Sequence, residues 1–168
     1  YSANGIYSGY TAGDELTELR TRDSKTFSNG NGSNDLFYIG RLHYKSESGK
    51  WSDIDVSIKQ AATPKYEGYD YQNLTNDFKT YYSTDPAKGF IMDYEGHSYT
   101  LAQNYGFSVV ANASDPGKVL ATQGSLSKSD FRTLKARNYA SGIDYEMIQT
   151  ANGVETGFWL RNKSSYQN

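Results

Sequence analysis

Two segments, 18–58 and 139–160, constrain the fold of this chain most, because each alternates apolar and polar residues around a turn signal. In the second segment, the runs 143–150 and 154–161 flank an Asn-Gly dipeptide at 152–153. Asn-Gly between alternating runs is the strongest short-range signal for a β-hairpin. Alternation with a period of two is typical of strands that have one buried and one solvated face. Both segments are therefore predicted to form antiparallel hairpins.

Further turn signals recur about every ten residues, as in β-sandwiches and barrels. Gly49 is predicted to supply a positive φ between a strand over 36–44 and a strand over 51–58. Glu95-Gly96 is predicted to form a two-residue turn between two more strands. The predicted fold is all-β: a single-domain antiparallel β-sandwich, resembling a jelly roll, with at most one or two short helices. The domain is placed at 14–168, after an extended N-terminal arm at 1–13.

Two stretches favour helix as readily as strand. Apolar residues at helical spacing over 72–82 allow a short helix, whereas the Tyr, Asn and Thr content of this stretch favours a strand. A helical turn is predicted over 128–136, with Ser127 or Ser129 as its cap.

Composition narrows the class of protein. The 168 residues are enough to bury a core, and 17 basic against 19 acidic residues give a net charge of −2. The chain lacks the basic stripe of a duplex nucleic-acid binder, so no nucleic-acid partner is predicted. It also lacks an apolar run long enough to span a membrane. Cysteine is absent, which fits a bacterial, phage or cytosolic protein better than a disulfide-stabilised secreted one.

Catalytic groups are scarce in the sequence. His43 and His97 are the only histidines, and both fall inside predicted strands. The sequence therefore offers few candidate residues for a Ser-His-acid triad or for a zinc site. Asp53 and Asp55 would lie on one face of the predicted strand about 7 Å apart, a spacing that suits a glycoside hydrolase. Acids that alternate with Ile and Val are more typical of a solvated strand face. We therefore predict no enzyme activity, no cofactor and no metal, and keep the hydrolase as the weakest hypothesis.

The most unusual number is 16 tyrosines. Tyrosine suits strands, and it suits wet interfaces because its ring is buried while its hydroxyl stays hydrated. The candidate residues for a protein interface or for stacking on glycans are Tyr7, Tyr10, Tyr69, Tyr71, Tyr81 and Tyr82. The candidate core and hairpin residues are Phe27, Tyr44, Trp51, Ile54, Tyr145 and Trp159. Both tryptophans are predicted to pack in the core or at its rim rather than to stack on sugar.

Five short motifs follow one another along the chain: ELRTRDSKTF at 18–27, LHYK at 42–45, GKWSDID at 49–55, GIDY at 142–145 and NGVE at 152–155. This order resembles the N-terminal β module of bacterial wall-associated and YD-repeat surface proteins, and related modules of phage structural proteins. The resemblance implies a non-catalytic β-sandwich in a virion or at a cell surface.

Two functions follow from these expectations. The first is a structural or assembly protein, such as a capsid-decoration, head–tail or fibre-associated subunit, whose partners are copies of itself or other structural proteins of the particle or surface layer. The alternative is a carbohydrate-binding module that recognises host or cell-wall glycans through Tyr or Trp platforms.

Overall fold

A computed structural model describes most of the chain, namely residues 13–29, 34–38, 40–102, 106–110, 114, 117–122 and 124–161. The predicted arm lies outside the described residues except for Gly13, and Tyr7 and Tyr10 lie outside with it. The described residues form fifteen strands and a single 3₁₀ turn, Thr17–Leu19. All pairing between strands is antiparallel in this part of the chain, which confirms the predicted all-β antiparallel class.

The chain divides into two compact units, Tyr1–Ile54 and Asp55–Asn168, whereas the sequence predicted one domain over 14–168. The described part of the first unit contains two hairpins. They pair β1 with β2 and β3 with β4, and the strand bounds are Ser24–Ser28, Asn34–Tyr38, His43–Lys45 and Trp51–Asp53. Gly49 has a φ of 75° in the second hairpin, as predicted. Its N–H donates to the carbonyl of Ser46 at 2.8 Å, which closes the turn.

The second unit contains a five-stranded antiparallel sheet in which each strand lies beside the next strand of the chain. Its strands β5 to β9 are Lys59–Gln60, Tyr71–Asn73, Lys79–Tyr82, Phe90–Tyr94 and His97–Leu101. The turn between β8 and β9 is the predicted two-residue one, with φ of 49° at Glu95 and 78° at Gly96. Two successive positive φ values match the right-handed twist of the flanking strands. Among the strands that the structure describes, β9 lies at an edge of this sheet because only β8 pairs with it.

The rest of the second unit is a two-stranded and a four-stranded sheet. Strands β10 and β11 pair as Phe107–Val109 and Lys118–Leu120, and β12 to β15 follow as Ser127–Lys128, Thr133–Ala140, Ile143–Gln149 and Val154–Leu160. The predicted hairpin around 152–153 is confirmed to within one residue at each strand end. Its connection spans four residues, and the hydroxyl of Thr150 accepts the N–H groups of Asn152 at 3.2 Å and Gly153 at 3.1 Å.

The main core of the second unit lies between the five-stranded and four-stranded sheets. Tyr82 and Phe90 contribute from one sheet, and Leu134, Tyr145 and Met147 contribute from the other. These residues occupy alternate strand positions, so a period of two places them on the inner faces. The two sheets also share polar contacts, since the buried hydroxyl of Thr80 donates to Oε1 of Gln149 at 2.6 Å. The second unit is thus sandwich-like.

Three predicted elements are wrong in their extent. The strand predicted over 36–44 is two strands separated around Gly40, whose φ is 90°. The strand predicted over 51–58 ends at Asp53. The helical turn predicted over 128–136 is instead the end of β12, a non-helical connection at 129–132 and the start of β13, which pairs with β12 and β14. The stretch 72–82, for which the sequence allows both helix and strand, contains strands. The described residues form no α-helix.

Candidate functional site

The first unit contains a network of charged side chains. The guanidinium of Arg20 donates to both carboxylate oxygens of Glu15, with Nε–Oε1 at 2.7 Å and Nη2–Oε2 at 3.0 Å. Arg20 Nη2 also lies 3.3 Å from Asp53 Oδ2, and Lys25 Nζ lies 2.7 Å from Asp53 Oδ1. Burial raises the pKa of Asp53, but the charges of Lys25 and Arg20 lower it by more. The pKa therefore lies below its usual value. The network joins β1 to β4 and to the segment before β1.

His43 completes this network from β3. Its side chain is fully buried, and Nδ1 lies 2.6 Å from the carbonyl oxygen of Thr21. A carbonyl oxygen only accepts, so Nδ1 carries a proton and donates it. Nε2 faces Asp53 Oδ1 at 3.4 Å. Ser24 is also buried, and its hydroxyl is hydrogen-bonded to the hydroxyl of Thr21.

Three of the five motifs that carry the resemblance, all of them in the first unit, are therefore joined by contacts of their side chains. Arg20, Ser24 and Lys25 belong to ELRTRDSKTF, His43 to LHYK, and Asp53 to GKWSDID. Each makes the internal contacts described above, and these contacts hold the hairpins of the first unit together. In this structure the motif residues serve the fold.

Asp144, from the GIDY motif, has a comparable role in the second unit. Its Oδ1 accepts the N–H of Asn138 at 2.7 Å and the guanidinium of Arg161 at 2.5 and 2.8 Å. Asn138 has a φ of 58° and lies in the irregular pairing between Ala136 and Ala140. Burial raises the pKa of Asp144, but the bonds from Arg161 and Asn138 more than offset this and hold it below its usual value. The carboxylate thus stabilises a bulge in β13.

The hydrolase hypothesis loses its geometric basis. Asp53 ends β4, and Asp55 lies outside any strand, so strand alternation does not place the two carboxylates on a common face. Asp55 accepts the N–H of Ser57 at 2.9 Å and pairs with Lys59 at 3.1 Å. Within the described ranges, no three His, Asp or Glu side chains converge as a candidate metal site.

The tyrosines predicted as an exposed platform are largely inside the molecule. Tyr82 is fully buried in the main core, against which the partly buried Tyr71 also packs. Tyr69 and Tyr81 are buried in a smaller cluster on the other face of the five-stranded sheet, where the Tyr66 ring lies 5.0 Å from Tyr81. The rings of Tyr69, Tyr81 and Tyr82 are therefore buried and leave little surface for stacking on a glycan. Their role as interface residues stays a prediction.

The core and hairpin residues behave more nearly as expected. Tyr145 is buried in the main core, and its ring lies 5.1 Å from that of Phe158. Partial burial is found for four others, namely Phe27, Tyr44, Trp51 and Ile54. Trp159 differs, because 56% of its surface is exposed. It lies on the outer face of the four-stranded sheet, opposite the face on which Tyr145 and Phe158 pack in or against the core.

The hairpin of β8 and β9 carries an apolar surface that sequence reasoning missed. Tyr94, Tyr99 and Leu101 are 42%, 51% and 42% exposed. Register places them on the same face of the sheet as Phe90 and Met92, which pack in or against the main core. The alternation of 90–94 and 97–101 showed which residues share a face but could not show where the opposing sheet ends. We refer to Tyr94, Tyr99 and Leu101 as the β9 face.

Comparisons of the chain with protein-family models, with curated proteins and with solved structures gave no match. In the part of the chain that the structure describes, no helix is long and apolar enough to span a membrane. The functional interpretation therefore depends on the surfaces themselves.

Proposed function

We propose that this chain is a non-catalytic structural or assembly protein of a virion or cell surface, and that it associates with copies of itself through the β9 face. The observation that carries the proposal is the group of three large apolar side chains exposed on edge strand β9 and the end of its neighbour β8. Contiguous exposed apolar surface is typical of protein interaction sites. The location in a virion or at a cell surface is proposed from the motif resemblance alone.

A second copy of the chain is the partner that suits this edge best. Soluble proteins usually protect an edge strand with Lys, Pro or inward-pointing charges. β9 has the sequence His-Ser-Tyr-Thr-Leu, which contains no Lys, Pro or carboxylate. Two copies can therefore approach edge to edge around a two-fold axis without bringing like charges together. Such a contact would extend the five-stranded sheet across two molecules.

Sedimentation velocity over micromolar to millimolar concentrations tests this proposal. We expect the wild-type chain to self-associate, and Tyr99→Lys to weaken association at least about tenfold because it places two like charges at the contact. Leu74→Lys is the matched control, since Leu74 is also 42% exposed but lies outside the β9 face. A wild-type chain that stays monomeric throughout, or a Tyr99→Lys variant that associates like the wild type, would contradict the proposal.

Glycan binding is the second candidate function. The buried tyrosines no longer support it, but the exposed indole of Trp159 on a charged sheet face does.

A further inference from the structure

The outer face of the four-stranded sheet carries one large exposed aromatic side chain, Trp159, near the end of edge strand β15. Its register partner on β14 is Asp144, and Gly157, two residues earlier on β15, is opposite Glu146. Residues two apart on a strand share a face, so the indole and the Gly157 position are neighbours. These four positions define what we call the Trp159 platform.

Charged side chains lie between the indole and the sheet. Lys135 Nζ is 3.8 Å from Asp144 Oδ2, 3.8 Å from Glu146 Oε2 and 5.9 Å from the centroid of the Trp159 ring. Asp144 and Glu146 are both buried although they belong to the outer face. One face of the indole therefore lies toward Lys135, and 56% of the residue's surface is exposed, so we take the ring face away from Lys135 as the open face.

Gly157 leaves an opening beside this ring. A Cβ at Gly157 would lie 3.8 Å from both Cγ and Oε1 of Glu146, which is ordinary contact distance. Because glycine has no Cβ, a small polar group can approach Glu146 Oε1 along the edge of the indole. The platform thus combines a flat apolar surface with a hydrogen-bond acceptor next to it.

We propose that the Trp159 platform binds a neutral pyranose of an oligosaccharide. The apolar C–H face of the sugar would stack on the open face of the indole, as aromatic faces attract the positive edges of C–H bonds. A hydroxyl would donate to Glu146 Oε1, and the guanidinium of Arg161, which is paired with Asp144, offers donors at the same sheet face.

The charges at the site select for a neutral ligand. Lys135 and Arg161 are balanced by Asp144 and Glu146, which leaves no excess positive charge to attract a sulfate, phosphate or uronate group. The site lies on the opposite sheet from the β9 face. The inference therefore rests on the second candidate function, glycan binding, for which it names the site and the class of ligand, and it does not depend on the proposed self-association.

The test is titration of the whole chain with cellohexaose, maltohexaose and chitohexaose, followed by calorimetry and tryptophan fluorescence. We expect at least one of these neutral oligomers to bind, and Trp159→Ala to weaken that binding about tenfold or more. Trp159→Tyr should retain part of the affinity because it keeps an aromatic face. Trp51→Phe is the matched control, since it removes the other tryptophan, which belongs to the other unit.

A second variant separates loss of binding from loss of folding. Gly157→Val suits a strand and leaves the indole in place, but fills the approach to Glu146, so it should also weaken binding while near-ultraviolet circular dichroism stays native. Tyr99→Lys should bind sugar like the wild type, which distinguishes this inference from the self-association proposal. Three outcomes would overturn the inference: no binding of any of the three oligomers at millimolar concentration, unchanged affinity in Trp159→Ala, or tighter binding of a heparin hexasaccharide than of the neutral oligomers.

Discussion

At the scale of single residues, buried carboxylates stabilise irregular backbone in this protein. Asp144 accepts the N–H of Asn138 where the chain adopts a positive φ, a conformation that asparagine adopts more readily than most residues other than glycine. It also pairs with Arg161 and Lys135. The same carboxylate thus accepts a backbone N–H of the bulge and pairs with Arg161, while it shares Lys135 with Glu146.

Asp144→Asn should lower the free energy of unfolding by about 1–3 kcal/mol, because it removes the charge that Arg161 and Lys135 face in a buried position. Urea denaturation followed by circular dichroism measures this change. Glu155→Gln, an exposed carboxylate on β15, is the control and should change stability by no more than about 0.5 kcal/mol. Equal effects of the two substitutions would show that the bulge does not need this carboxylate.

At the scale of elements, a buried polar contact fixes how the two large sheets of the second unit face each other. Oε1 of Gln149 accepts from the hydroxyls of Tyr82 and Thr80, and its Nε2 donates to the carbonyl of Thr150 at 2.8 Å. Gln149 is fully buried, so its amide has exchanged water for these partners. Burial also raises the pKa of Tyr82, which keeps its hydroxyl protonated as a donor.

Tyr82→Phe should therefore destabilise the protein by about 1–2 kcal/mol, the usual effect of removing one partner from a buried hydrogen bond. Thermal or urea unfolding measures it. Tyr99→Phe, at a half-exposed ring on the same sheet, should be close to neutral. If Tyr82→Phe were as stable as the wild type, the hydrogen bond from Tyr82 to Gln149 would contribute nothing to stability.

Local turn chemistry explains which elements the sequence predicts well. The hairpins around Glu95 and Asn152 follow from two or three residues each, and both are confirmed. The end of β4 depends instead on distant partners: the N–H of Ile54 donates to the carbonyl of Leu42, and that of Asp55 to the carbonyl of Thr75. Nothing in the alternation of 51–58 reveals these bonds.

Burial of the tyrosines was unpredictable for a similar reason. Alternation places Thr80 and Tyr82 on one face of β7 and Tyr81 on the other, but the outer face is covered by Tyr66 from a distant loop. The exposed candidate surfaces, the β9 face and the Trp159 platform, likewise depend on where an opposing element ends. The sequence pattern therefore indicates which residues share a face, whereas the tertiary fold determines which face is exposed to solvent.

At the scale of the whole molecule, carboxylates with lowered pKa occur in both compact units. Asp53 belongs to the first unit, and Asp93 and Asp144 belong to the second. Burial raises the pKa of Asp93, but the bonds from Lys65, Ser98 and Tyr66 more than offset it, so its pKa also lies below the usual value. A carboxyl whose pKa is lower in the folded state binds protons more weakly than in the unfolded chain.

The protein should therefore lose stability in acid. The contribution of these carboxylates is fully present above the pKa of an unfolded Asp, about 3.9, and is lost as the pH falls through their lower folded-state values. Urea midpoints measured between pH 6 and pH 2 should be level at first and then decline below about pH 4. Asp144→Asn should show a smaller decline. Midpoints that stay level or rise toward pH 2 would contradict the roles assigned to these ion pairs.

Self-association through the β9 face is the central claim, and hydrogen–deuterium exchange measured at dilute and at concentrated protein tests it most directly. Edge-to-edge pairing would give the backbone N–H groups on the outer edge of β9 a carbonyl partner from the second molecule. We predict that exchange slows within His97–Leu101 at high concentration, and that Tyr99→Lys abolishes this protection. Exchange in this strand that does not depend on concentration, or protection confined to other strands, would contradict the account.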